Sequence, residues 1–166
     1  MPAASRAVVL GGGGPVGVGW ELGLAAGLGT GGINLAEADL VVGTSAGSLA
    51  GALLTSGEDP IALVEEAEAM FEAGVGDSGV DQVDMAGLAG LMEAMLGPEG
   101  PTDGPQPSEQ ERLAEVGAIA LAADTIAEDA FVGSVGSVLS GKPWPAHFAC
   151  TAVDAATGEF QLWNAA

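Results

Sequence analysis

Short apolar runs stopped by glycine alternate with longer apolar-and-small stretches through the first third of the chain. Ala7-Val8-Val9-Leu10, within Arg6 to Leu10, is brief, partly β-branched and ended by glycine, which predicts a buried strand. Gly11 to Gly14 can take backbone angles closed to other residues. Pro15 suits a first helical turn, where its missing N–H needs no partner. A helix is predicted from about Val16 to Leu28, with Trp20, Leu24 and Leu28 toward the core and Gly29 to Gly32 as its end. Leu40-Val41-Val42 reads as a second strand, Gly43 to Gly47 as a sharp turn, and Ser45 to about Ser56 as a second helix. Leu49 and Leu53 face inward on it, and Gly57 stops it. Two strand–turn–helix units in succession imply a parallel sheet with right-handed crossovers.

The pattern changes from Glu58 to Ser140. Pro60 begins an amphipathic helix in which Glu65, Glu66, Glu68 and Glu72 alternate with apolar residues. A second amphipathic helix is predicted from about Val83 to Leu96, with Met85, Leu88, Met92 and Met95 as its apolar stripe. Such a stripe serves as adaptable core or lines a lipid-accepting groove. Gly97 to Ser108 holds four prolines and three glycines and reads as a loop, with a lid as one possible role. Helices follow at about Glu109 to Thr125 and Ala127 to Leu139. His147 to Val153 is a third strand with Phe148 and Cys150 on one face. Ala155 to Gly158 is a turn, and Glu159 to Trp163 completes a hairpin. A sheet that closes on a strand with no covering helix suggests a domain cut short.

Composition narrows the partners. At 166 residues, one compact domain is the default. Three basic residues face 23 acidic ones, for a net charge of −20. Nucleic-acid binding needs cations to replace counterions, so that class is excluded, and an anionic membrane surface would repel the chain. The charge reads as a solvated acidic surface, with a cationic partner as the sharper alternative. The single cysteine, Cys150, excludes an intrachain disulfide and reads as a small core residue. Together with an N-terminus that lacks a secretory layout, it fits a cytoplasmic location. The uncharged run Leu40 to Gly57 is broken by four glycines and fits a strand, turn and helix better than a membrane span.

Candidate chemistry concentrates at the two glycine stretches. Gly43-Thr44-Ser45-Ala46-Gly47 is a G-x-S-x-G pattern placed between a strand and a helix. Such a corner exposes a serine hydroxyl at a helix N-terminus, a nucleophile elbow in which Gly43 and Gly47 permit the tight turn. A structural turn is the other reading of the same five residues. Backbone amides of Gly12, Gly13 and Gly14 could hold a negative oxygen as an oxyanion hole. Gly12-x-Gly14-x-x-Gly17 also satisfies a dinucleotide fingerprint, but that use needs an acid at the end of the second strand. Glu37 and Asp39 lie before that strand, and no lysine follows the glycines as a P-loop requires.

Val9-Leu10-Gly11-Gly12-Gly13-Gly14-x-x-Gly17, the helix segment Trp20-Glu21-Leu22-Gly23, and Gly43-Thr44-Ser45-Ala46-Gly47 together resemble the patatin-like phospholipase family. Thr151-Ala152-Val153-Asp154 with Thr157-Gly158-Glu159 is similar to a hairpin further along such domains. The resemblance runs from about Arg6 to Trp163 and assigns 6–166 to an N-terminal, incomplete portion of a patatin-like domain. It implies a three-layer α/β fold with a largely parallel central sheet flanked by helices. It also implies hydrolysis of lipid or phospholipid acyl esters by a Ser–Asp dyad, with Ser45 as nucleophile and no cofactor or metal. The substrate class would bring transient contact with a membrane or lipid aggregate.

Two departures stand out. Family members often carry Arg or Lys where this chain has Val16, which bears on head-group preference. The dyad acid belongs to an Asp-Gly-Gly or Asp-Gly-Ala motif beyond the hairpin, and neither motif occurs here. Asp103-Gly104 precedes the hairpin. Asp154 reads as a turn residue, and Asp124 and Asp129 as surface charge. His147, the one histidine, reads as an ordinary strand residue, and the scattered carboxylates give no metal-ligand spacing. The chain on its own is therefore expected to turn over little. A non-catalytic lipid- or acyl-binding module of the same fold is the alternative.

Overall fold

The computed structural model describes residues 5–72, 107–123, 127–139 and 141–165. The methionine-striped helix and most of the proline-rich loop expected from the sequence lie outside the described residues, as do Asp103 and Asp124. Contacts divide the chain into two units. The first comprises Met1–Asp77, Ala127–Thr151 and Leu162–Ala166, and the second Ser78–Ile126 and Ala152–Gln161.

The first unit opens with strand β1 (Ala7–Leu10) and helix α1 (Gly14–Thr30), which begins with proline in its first turn as expected. A 3-10 turn (Leu35–Glu37) leads to β2 (Leu40–Gly43), α2 (Ala46–Thr55) and α3 (Pro60–Glu72). Helix α4 (Glu109–Ala122) belongs to the second unit, and α5 (Glu128–Leu139) to the first. Strands β3 (Phe148–Val153) and β4 (Phe160–Asn164) complete a sheet of order β1-β2-β3-β4. β1 pairs parallel with β2, Val8 opposite Val41 and Leu10 opposite Gly43, and β2 pairs parallel with β3. The architecture is thus the expected mixed α/β fold, a mostly parallel sheet flanked by helices.

The core of the first unit gathers Leu10, Leu22, Ala25, Val41, Ala50, Leu53, Leu54, Leu63 and Phe148. Two expectations are corrected here. β1 ends the sheet order, and among its residues Leu10 alone is buried while Val9 is 76% exposed, so it is no fully covered strand. On α1, Trp20 and Leu24 face out, and Glu21, Leu22 and Ala25 face in. Apolar residues are spread round the whole helix, so periodicity gives no direction. Helices rich in glycine and alanine approach closely through small residues, and Leu22 with Ala25 meets that geometry where a tryptophan would not. On α2, Leu53 is buried as expected, while Leu49 is only half-buried and Ala50 and Leu54 take the deepest places.

In the second unit, Ser108 caps α4. Its hydroxyl accepts the Glu111 amide at 3.2 Å, and the Glu111 carboxylate accepts the Ser108 amide at 2.7 Å, satisfying two amides at once. Gly117 and Gly158 lie where α4 meets the turn between β3 and β4. A β-carbon at either would strike backbone, at the Ala155 carbonyl and the Gln110 carbonyl respectively.

Candidate active site

Both glycine stretches follow strand ends, and the parallel pairing of β1 with β2 brings those ends together. The ladder closes at Leu10 opposite Gly43. Beyond it the two loops bond directly. The Thr44 amide donates to the Leu10 carbonyl at 3.0 Å, and the Gly47 amide to the Gly11 carbonyl at 2.8 Å. A β-carbon at Gly47 would collide with Leu10 backbone, and one at Gly43 with Gly47 backbone. Glycine at both positions follows from this close approach, as the expected tight turn requires.

Ser45 stands at the apex. It has φ 53° and ψ −114°, the only positive φ outside glycine among the described residues. A non-glycine residue held there stores about 1–3 kcal/mol of strain, and such strain clusters at functional corners. Its side chain is exposed and makes no capping bond to α2. The neighbouring Thr44 hydroxyl pairs with the Thr151 hydroxyl on β3 at 2.8 Å, fixing the residue before the apex.

Gly12 lies against Ser45, and a β-carbon on Gly12 would sit 3.7 Å from the Ser45 Cβ. Gly17 lies as close to Ala46, at 3.1 Å on the same measure. Gly14 has φ 58° and opens α1, whose first turn is closed by the Gly17 amide on the Gly13 carbonyl at 2.9 Å. The amides of Gly12 and Gly13 make no hydrogen bond among the described residues. The N-termini of α1 and α2 therefore meet at Ser45. In a chain of net charge −20, neither first turn carries an acidic residue. The positive ends of both helices are left uncompensated beside Ser45.

The acids and the histidine weighed from sequence are placed elsewhere in the bonding. Asp154 serves its turn, with Oδ1 accepting the Ala156 and Thr157 amides at 2.9 Å each. The Thr157 amide and hydroxyl, then the Ala156 amide, hold its carboxyl below the usual range. Asp39 accepts the Arg6 amide at 2.7 Å, ahead of β2, and Asp129 is exposed on α5. His147 sits one residue before β3, correcting its placement in the strand. Its Nε2 donates to the Ala36 carbonyl at 3.0 Å, since a carbonyl can only accept. Cys150 is half-buried against the core, and burial pushes its thiol up, away from a nucleophilic thiolate.

Glu21 was not singled out by sequence reasoning. It is buried at 5% exposure on α1, and its Oε2 has no hydrogen-bond partner. Burial raises its pKa, opposed in part by the Gly11 backbone. The available signal was its isolation, since it is the only charged residue between Arg6 and Glu37. A cleft of about 360 Å³ lies at the far end of α2 from Ser45, lined by Ala25, Thr30, Asn34, Leu54 and Glu58 among others. No group of metal-binding side chains forms among the described residues, and no helix there is long and apolar enough to cross a membrane.

A serine at a strained strand-to-helix corner, beside a glycine loop at a second helix N-terminus, is the geometry used by serine hydrolases of α/β fold. The chain belongs to the patatin-like phospholipase family, lipid acyl hydrolases whose family model matches residues 8–125, well over half its length. Searches of curated proteins and of solved structures returned no match.

Proposed function

We propose that the protein is a serine acyl-ester hydrolase acting on lipids or phospholipids, with Ser45 as its nucleophile. The observation that carries this reading is the strained, exposed Ser45 lying against Gly12 of the glycine loop. Ser45 Oγ attacks the acyl carbonyl and its proton passes to a carboxylate. The carbonyl oxygen, now negative, is held by the amides of Gly12, Gly13 and Gly14 with help from Ala46. Collapse expels the alcohol, which takes the proton, and water then cleaves the acyl-enzyme. One oxyanion donor is worth about 2.7–4 kcal/mol of transition-state stabilisation.

The dyad acid is the missing part. The 166 residues contain no Asp-Gly-Gly or Asp-Gly-Ala, and Asp154 is committed to its turn. The chain by itself is therefore a weak catalyst whose serine is poised but unassisted. That same observation favours a second reading, a lipid- or acyl-binding module that keeps the fold without turnover.

A fluorophosphonate probe separates the two. Labelling of Ser45, abolished in Ser45→Ala, supports the hydrolase. An inert Ser45 beside measurable fatty-acid binding supports the binding module. Rapid ester hydrolysis by the 166-residue chain, lost in Ser45→Ala, would overturn the view that these residues lack a base.

A further inference from the structure

Ser45 is held at φ 53°, a conformation its own residue type disfavours. Such a residue keeps its place only where the surroundings over-determine it. From the β1 side the hold is made by backbone. The Thr44 amide donates to the Leu10 carbonyl at 3.0 Å, and the Gly47 amide to the Gly11 carbonyl at 2.8 Å. Gly11 to Gly14 carry no side chain that could add to it.

The β3 side differs. The β2–β3 ladder runs from Val41 opposite Phe148 to Gly43 opposite Cys150, and β2 stops there. One step further, the same register sets Thr44 opposite Thr151. Their hydroxyls lie 2.8 Å apart and carry the pairing one residue past the end of β2. A hydroxyl pair of this kind is a known contact between neighbouring strands. Thr44 is exposed and Thr151 half-buried, so water can serve either hydroxyl and the pair adds little to global stability. Its effect is local. The Thr44 carbonyl also accepts the Gly47 amide at 3.0 Å. With amide, carbonyl and side chain all bonded, Thr44 fixes the peptide that enters Ser45.

We propose that Thr44 and Thr151 are positioning residues for Ser45. Their hydroxyl pair secures from β3 the strained corner that β1 secures from its other side. The consequence for the reaction rests on the hydrolase reading, and the hold on the corner rests on the bonding alone. Neither threonine touches a reacting atom. A nucleophile displaced by about 1 Å loses on the order of a hundredfold in rate, so a small slackening of this corner is costly.

Valine keeps the shape of threonine without the hydroxyl, and serine keeps the hydroxyl. In Thr44→Val and in Thr151→Val, amide exchange at Thr44, Gly47 and Ser48 should rise about tenfold, the scale of one lost hydrogen bond. The Val41 amide, bonded to the His147 carbonyl, should hold its rate. Fluorophosphonate labelling of Ser45 should slow by about tenfold as well. Thr44→Ser and Thr151→Ser should keep wild-type values. Either valine removes the whole pair, so the double valine variant should be no slower than the worse single one.

Unchanged exchange at the corner overturns the proposal, and so does a rise shared by Val41, which marks general loosening. Valine effects that multiply in the double variant, or serine variants as damaged as the valine ones, overturn it too, because the hydroxyl pair is then not their source. If the corner loosens and labelling of Ser45 does not slow, the pair holds the turn without positioning the nucleophile, and the proposal fails. If one valine variant does not fold, the other and its serine counterpart decide by the same measurements. If wild-type Ser45 is never labelled, the hydrolase reading fails while exchange at the corner still decides whether the pair holds Ser45.

Discussion

The Gly47 amide donates to the Gly11 carbonyl at 2.8 Å, tying the loop that opens α1 to the corner that carries Ser45. The approach leaves no room for a side chain at Gly47, where a β-carbon would strike Leu10 backbone. Gly47→Ala is expected to lower the urea midpoint by the equivalent of about 1–3 kcal/mol, because backbone cannot step aside as a side-chain end can. Gly23 is the contrast, since it lies within α1 facing open space. Gly23→Ala should raise stability by about 0.5–1 kcal/mol.

Ser45 stores strain that function would need and folding would not. Ser45→Gly should gain about 1 kcal/mol of stability by removing the β-carbon from a left-handed position. Ser45→Ala should gain none, because its β-carbon stays. Both should lose fluorophosphonate labelling. Denaturation midpoints of the two variants beside the wild type check this, and equal midpoints for Ser45→Gly and Ser45→Ala would contradict a strained corner.

Two acids should bend the pH profile of stability in opposite senses. Asp154 is held below its ordinary value of 3.8 by the Thr157 and Ala156 donors, so the folded state binds its proton less tightly than the unfolded chain. Its contribution is complete above 3.8 and is lost as pH falls through the lowered folded value. Glu21 is raised above 4.5 by burial, so the unfolded chain releases that proton first. Stability therefore falls as pH rises from 4.5 through the raised folded value, and levels beyond it. Asp154→Ala should flatten the acid limb of a pH–stability curve, and Glu21→Gln should remove the decline above 4.5.

With a net charge of −20 on 166 residues, self-repulsion opposes the compact state. Added KCl screens it within about 8–10 Å near physiological strength. The melting temperature is expected to climb with KCl, and a flat response would show that the charges are already well separated. The Lys142–Glu58 pair works in the other direction but is partly exposed and contributes at most about 1 kcal/mol.

The elements themselves were legible. The starts of α1, α2 and α3 and the Asp154 turn follow from glycine, proline and apolar runs at short range. The observed bounds differ by a few residues at most from those the sequence predicts. The serine corner and the glycine loop were legible as motifs, each with a rival use. The dinucleotide alternative is not met by an acid at the end of β2, where Gly43 stands and Ser45 follows.

What the sequence by itself determined is the pair of corners, the glycine-rich run before α1 and the G-x-S-x-G before α2, because local backbone freedom is written in residue type. Only the tertiary structure decided that these corners meet, since the Gly11–Gly47 bond arises from parallel pairing of strands more than thirty residues apart. It alone decided which face of α1 turns inward. Apolar residues surround that helix, and close approach through Leu22 and Ala25 exposes Trp20 and buries Glu21. An isolated acid in an uncharged run can be solvated or buried, and the side its helix presents to the core settles which.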